Sequence, residues 1–157
     1  MSAMTDKQLE VSAEIRCDAD RLYDMVSDLS NMGQWSPEAT GGRWVGSTGP
    51  ALGARFRGRN RNGWRRWGTL SKVTAADRGK RFAFSVSSTG FKVADWSYDF
   101  AASGDNTLVT ERWVDKRATW FAKLTVVATG VPDRTDTNRR NMEATLEALK
   151  RSAESAS

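Results

Sequence analysis

The stretch KVADWSYDFAASGDNTLVTERWVDK, residues 92–116, decides the fold. Trp96, Tyr98 and Phe100 stand at i, i+2 and i+4, with Ser97 and Asp99 between them. That spacing puts the three rings on one face of a strand and the polar groups on the other. After Gly104-Asp105-Asn106, the alternation resumes with Val109, Glu111 and Trp113 on a common face. Two period-two runs joined by three turn-forming residues read as a hairpin, and a connection this short makes the pair antiparallel.

The same period extends back to Gly41. Strands are expected near Gly42–Ser47, Ala54–Arg61, Trp64–Ala75, Arg81–Ser87, Lys92–Ala102 and Thr107–Lys116. The breaks carry turn chemistry: Asn62-Gly63, which suits a type I′ turn, Asp77-Arg78-Gly79-Lys80 and Ser88-Thr89-Gly90. Upstream, Leu9, Val11, Ala13, Ile15 and Cys17 alternate with polar residues as a half-buried strand over Gln8–Cys17. Asp18 reads as an N-cap for a short helix over Ala19–Asp28. A second short helix over Ser30–Trp35 is stopped by Pro37. Downstream, Ala118–Thr129 is apolar but poorly patterned, a short helix or a covering loop. Thr135–Ser152 has helical spacing, with Met142, Leu146 and Leu149 on one side, joined by Asn138, Thr145 and Ala153. Such a rod is about 27 Å long. The expected fold class is α+β: a curved antiparallel sheet of about seven strands, two short helices and one long C-terminal helix over an apolar cavity. One domain is expected across 1–157, with its ordered core at about 8–154.

The 157 residues carry a net charge of +5, and 39% are hydrophobic. Absences narrow the chemistry. There is no histidine and a single cysteine, Cys17. Ser-His-Asp and Cys-His constellations are therefore excluded, and neither a zinc site nor an internal disulfide is expected. No phosphate loop or dinucleotide fingerprint occurs, so no cofactor and no metal are expected. Any reaction would have to use carboxylates, Arg, Lys, Tyr, Ser/Thr or bound water. No apolar run reaches the ~20 residues of a membrane span, and Met1–Leu9 is polar, without the apolar centre of a signal peptide. The expected compartment is the cytoplasm.

Seven Trp, six Phe and two Tyr are many for this length. Phe82, Phe84 and Val86 repeat the in-phase pattern of Trp96, Tyr98 and Phe100. An ordinary aromatic core explains such a face. Two features point instead to a small-molecule cavity. Trp and Tyr have polar tips that want partners when buried, and Glu111 shares the face of Val109 and Trp113, where a carboxylate must be paired or protonated. The expected walls are Trp67, Phe84, Trp96, Tyr98, Phe100 and Trp113. Asn138, Met142 and Leu146 come from the helix, and Glu111 is the polar anchor. The more polar N-terminal half of the helix, Asn138 to Met142, is the expected mouth. For Leu146 and Leu149, plain packing on the sheet is the simpler account.

Positive charge is concentrated elsewhere. Arg55, Arg57, Arg59 and Arg61 alternate along one strand, followed by Arg65 and Arg66, with Trp64 and Trp67 nearby. A solvated strand face accounts for this stripe. An acidic protein, a peripheral membrane contact or nucleic acid would also fit it. No nucleic-acid motif is present, so nucleic acid is not the expected partner.

The order of these pieces resembles the helix-grip superfamily of START-like proteins, and in particular its bacterial polyketide cyclase/dehydrase-like subgroup. The segments that carry the resemblance are Leu22–Asp28 running to Gln34–Glu38, Gly53–Asn60, Ala94–Phe100, Val109–Trp113 and Thr145–Lys150. The resemblance implies a cavity between the concave sheet and the last helix that holds lipids, polyketides or other apolar molecules. It also implies two alternatives: a cyclase, aromatase or dehydratase, or a toxin-like interaction module acting through the basic surface. Tyr98, Glu111, Ser71 and Thr69 could face such a cavity, but no matched motif assigns them catalytic roles. The expected partner is a small hydrophobic ligand, and the expected assembly is a monomer or dimer.

Overall fold

The computed structural model describes residues 8–46 and 49–155. Residues 1–7, 47–48 and 156–157 lie outside this description, among them Ser47 at the end of the expected second strand. Seven strands form one antiparallel sheet: β1 (Gln8–Ile15), β2 (Ala39–Val45), β3 (Arg55–Asn62), β4 (Arg65–Asp77), β5 (Arg81–Ser88), β6 (Phe91–Ser103) and β7 (Asn106–Asp115). Their order is β1-β7-β6-β5-β4-β3-β2, a meander closed by β1 beside β7. Helix α1 (Ala19–Ser27) and a 3-10 turn (Leu29–Gln34) follow β1, and α2 (Thr119–Thr129) and α3 (Arg134–Ser155) follow β7. The fold is the expected helix grip, with the apolar sheet face curved toward α3.

Side-chain period and register place the rings. Trp96 lies opposite Trp113, Tyr98 opposite Glu111 and Phe100 opposite Val109. Phe84 lies opposite Trp96 and Phe82 opposite Tyr98. Register shifts at Val73/Ala75 and Val86/Ser87 each insert an unpaired residue, which bends a sheet locally.

One end of the concave face is solidly packed. Asp18 caps α1 through the Arg21 N–H. Tyr23 then sets its ring edge-on against Phe82 and Phe100, each at 5.9 Å. Leu22, Val26, Val109, Leu146, Leu149 and Ala153 complete this core. The C-terminal half of α3 is tied down there: Arg21 Nη1 donates to the Ala153 carbonyl at 3.0 Å, and Lys150 Nζ to the Glu14 carbonyl at 3.2 Å.

One turn differs from expectation. The β3–β4 hairpin pairs Asn62 with Arg65, so its central residues are Gly63-Trp64, with Gly63 at φ 64°. A positive φ at the first central position alone is the type II′ geometry rather than type I′ on Asn62-Gly63. This puts Trp64 at the tip. Arg65 and Arg66 alternate along β4, so Arg66 joins the basic stripe opposite Arg61, while Arg65 points to the other face and its Nε donates to the Val127 carbonyl. The expected second short helix is present as a 3-10 helix over Leu29–Gln34, with Asp28 accepting from the Ser30 N–H.

Candidate functional site: an internal cavity under the N-terminal half of the long helix

Between the concave sheet and the first half of α3 lies a cavity of about 990 Å³. Its floor is the in-phase sheet face, including Trp67, Thr69 and Ser71 of β4, Phe84 and Val86 of β5, Trp96 and Tyr98 of β6, and Glu111 and Trp113 of β7. Asn138 and Met142 of α3 form its roof. Eight of the ten residues expected to line a cavity meet around this one space. Phe100 and Leu146 do not. Both belong to the packed core around Tyr23 and Leu149, because α1 covers that end of the face and leaves no room.

Glu111 is the most unusual group in the site. It is 2% exposed and sits directly across the β6–β7 ladder from Tyr98. The phenol donates a hydrogen bond of 2.7 Å to Glu111 Oε2. Oε1 has no hydrogen-bond partner among the described residues. Burial pushes the Glu111 carboxyl up to about 8, and the Tyr98 hydrogen bond only partly opposes that shift. Burial, reinforced by the nearby Glu111, also raises Tyr98 well above the ordinary phenol value. Near neutral pH, therefore, the cavity wall presents a carboxylic acid rather than a carboxylate. It can donate from one oxygen while the other accepts from Tyr98.

Sequence reasoning missed a second polar cluster. Arg134, at the start of α3, donates to Glu38 Oε1 at 2.8 Å, to Asn138 Oδ1 at 3.3 Å and to Thr129 Oγ1 at 3.2 Å. Its guanidinium carbon is 5.9 Å from the centre of the Trp67 ring. Both members of the Arg134–Glu38 pair are mostly buried and line the cavity. Glu38 precedes β2 and Arg134 opens α3, so this contact fastens the helix to the far edge of the sheet. The two residues are 96 positions apart, and no local pattern could have joined them.

Helix α2 also borders the cavity. Phe121, Thr125 and Ala128 line it, with the half-exposed Leu124 at its edge. A signal for this was present, since Phe121 and Thr125 share a helix face, but the helix is apolar on its other side too. Arg117 fixes its first turns. It makes two bonds to Asp115, at 2.9 and 2.8 Å, and one of 2.7 Å to Thr125 Oγ1. Gly130, at φ 71°, ends the helix in the left-handed conformation that favours glycine.

The basic stripe lies on the opposite, convex face. Arg55, Arg57, Arg59 and Arg61 are all exposed. In register, Arg57 faces Arg43, Arg55 faces Lys72 and Arg61 faces Arg66. Trp67 is not part of this surface. It pairs with Asn60 on the concave side. No cluster of three metal-ligating side chains occurs among the described residues, and no helix among them is long and apolar enough to cross a membrane.

Comparison with known proteins follows the same outline. A START superfamily protein from Mycobacterium smegmatis superposes with a TM-score of 0.71 at 16% identity, over 96% of this chain and 99% of that one. A di-domain ARO/CYC protein of the steffimycin biosynthetic pathway gives 0.74 at 13% identity, over 96% of this chain and 51% of that one. The solution structure of a Polyketide_cyc-like protein from Corynebacterium glutamicum is 28% identical, with a TM-score of 0.59 over 94% of this chain and 91% of that one. No curated protein matches the sequence. The model of the family described as polyketide cyclase / dehydrase and lipid transport matches residues 6–154, and the chain belongs to that family.

Proposed function

We propose that this protein binds a small, neutral, hydrophobic or aromatic molecule, lipid- or polyketide-like, in the internal cavity. The observation that carries this reading is the cavity itself. Its volume of about 990 Å³ lies at the upper end of the range for small-molecule sites. Trp67, Phe84, Trp96 and Trp113 would contact the apolar body of the ligand. Glu111 would donate a hydrogen bond from its protonated carboxyl to a carbonyl or hydroxyl oxygen, and so satisfy its unpartnered Oε1. A ligand carboxylate placed there would raise the Glu111 pKa further and pay for its own desolvation, so neutral oxygens are favoured. The family and the fold of its relatives support hydrophobic ligand binding at this level of detail.

The test is to purify the protein, extract it with organic solvent and identify what accompanies it, alongside native mass spectrometry of the intact protein. An apolar adduct of a few hundred daltons is the expected result. A bare protein that also takes up none of a panel of lipids and polyketides overturns the reading.

One observation favours a second reading, acid–base catalysis. A carboxyl with a pKa of about 8, hydrogen-bonded to a buried phenol beside a roomy cavity, suits proton transfer. In a dehydration, Glu111 as carboxylate would take the α-proton of a β-hydroxy ketone. The acid so formed would protonate the departing hydroxyl, releasing water. Turnover that rises with pH up to about 8 and is abolished in Glu111→Gln would support catalysis over binding alone.

A further inference from the structure

Five of the seven large apolar side chains exposed among the described residues gather at one end of the molecule. Trp120, Leu124 and Val127 stand at i, i+4 and i+7 on the outer face of α2, 55%, 55% and 72% exposed. Two hairpin tips adjoin them. Phe91, where β6 begins, lies edge-on to Trp120 with ring centres 5.0 Å apart. Trp64, at the β3–β4 tip, is 79% exposed and stacks under Arg65, which is bonded to the Val127 carbonyl. A monomer surface rarely gathers this much apolar area without a use. The same three segments carry only positive charge. Residues 61–76, 86–94 and 118–132 hold Arg65, Lys92 and Lys123, with Arg61, Arg66 and Lys72 on the adjoining convex face, and no acidic residue. Leu124 is exposed on this surface and also lines the cavity, so the patch borders the cavity.

We propose that the outer face of α2 and the two adjoining hairpin tips form a docking surface for an anionic lipid bilayer, which brings the α2 side of the cavity to the membrane interface. Charge selects this occupant over a second copy of the chain. A two-fold dimer on this patch would set a basic rim against a basic rim, whereas an anionic bilayer complements both the rim and the apolar centre. Trp and Leu inside a Lys/Arg border suit shallow insertion at the headgroup boundary. An 11-residue helix, about 16 Å long, can lie in that plane but cannot cross the bilayer.

The test is co-sedimentation of the full chain, without added ligand, with vesicles of phosphatidylcholine alone and of phosphatidylcholine mixed with phosphatidylglycerol. Binding to the anionic vesicles is expected, with weak binding to the neutral ones and loss at molar salt. The double variant Trp120→Ser/Val127→Asp, neither position lining the cavity, should weaken binding by roughly tenfold or more, and so should Lys92→Glu/Lys123→Glu. Far-ultraviolet circular dichroism and cavity uptake of a fluorescent apolar probe should stay unchanged in the first variant. Absence of vesicle binding overturns the proposal. Binding that survives both variants also overturns it and moves the contact to the convex arginine face. Sedimentation showing a dimer that Val127→Asp dissociates assigns the patch to a second copy instead. If the wild type takes up no probe but binds vesicles through this patch, docking stands and the ligand reading fails.

Discussion

The two halves of the concave sheet face use the same kinds of residue yet end differently, one filled and one hollow. Under the C-terminal half of α3, Phe82, Phe100 and Val109 meet Leu146 and Leu149, and α1 closes the space with Tyr23 and Val26. Under the N-terminal half, Trp67, Trp96 and Trp113 meet Asn138 and Met142, and nothing equivalent to α1 descends into the gap. Helix α2 spans it from the side. The difference therefore lies less in the sheet than in what stands opposite it: short apolar side chains backed by a second helix at one end, polar ones with a bridging helix at the other. Stability is concentrated in the first half and binding capacity in the second.

The largest expected contrast comes from truncation. Leu149→Ala should cost about 2–5 kcal/mol, because it opens a void in the packed half. Val86→Ala, on the cavity wall, should cost about 1 kcal/mol or less, because its methyl groups already border empty space. Urea denaturation of both variants measures the difference, and equal losses would dissolve the distinction between the halves.

Next comes pH. An unfolded glutamate loses its proton near 4.5, while folded Glu111 holds it to about 8. The folded state thus binds more protons across that window, and stability must fall as pH rises through it, by about 1.4 kcal/mol per pH unit at most. Glu111→Gln should remove this slope and be more stable than wild type at pH 9 by up to about 5 kcal/mol. The variant should show no comparable gain at pH 4. Matching pH–stability curves for the two proteins would mean that Glu111 is ionised when folded.

The smallest effect is conformational. Thr89 has φ 52° and Gly90 φ 85° at the β5–β6 tip, beside the cavity. A β-branched residue is strained there. Thr89→Asn should stabilise the fold by about 0.5–1 kcal/mol in thermal unfolding. No gain would place the compensation in the bond from Thr89 Oγ1 to the Ser88 carbonyl.

Much of this division was visible in the chain. Period two put Trp96, Tyr98, Glu111 and Trp113 on one face, and the polar Asn138 marked the hollow end of α3. The same periodicity misassigned Phe100 and Leu146, since it specifies a face but not which end of a strand lies under a gap. The basic stripe was read too widely for a related reason. Arg65 and Arg66 are adjacent in β4 and so point to opposite faces, which leaves Arg66 beside Arg61 and sends Arg65 to α2. Helix α2 was hard to read for a physical reason. With one apolar side over the cavity and another facing outward, it lacks the polar stripe that reveals helical period. Arg134 and Glu38 meet only through tertiary structure.

The central claim is that the hollow half holds a ligand, and filling it is the most direct test. Ser71→Phe places a ring in the cavity from β4, where Ser71 now lines the floor. Native mass spectrometry of wild type and variant, purified identically, should show an apolar adduct on the wild type and a folded, ligand-free variant. An adduct that persists at full occupancy in a folded Ser71→Phe protein would contradict the account.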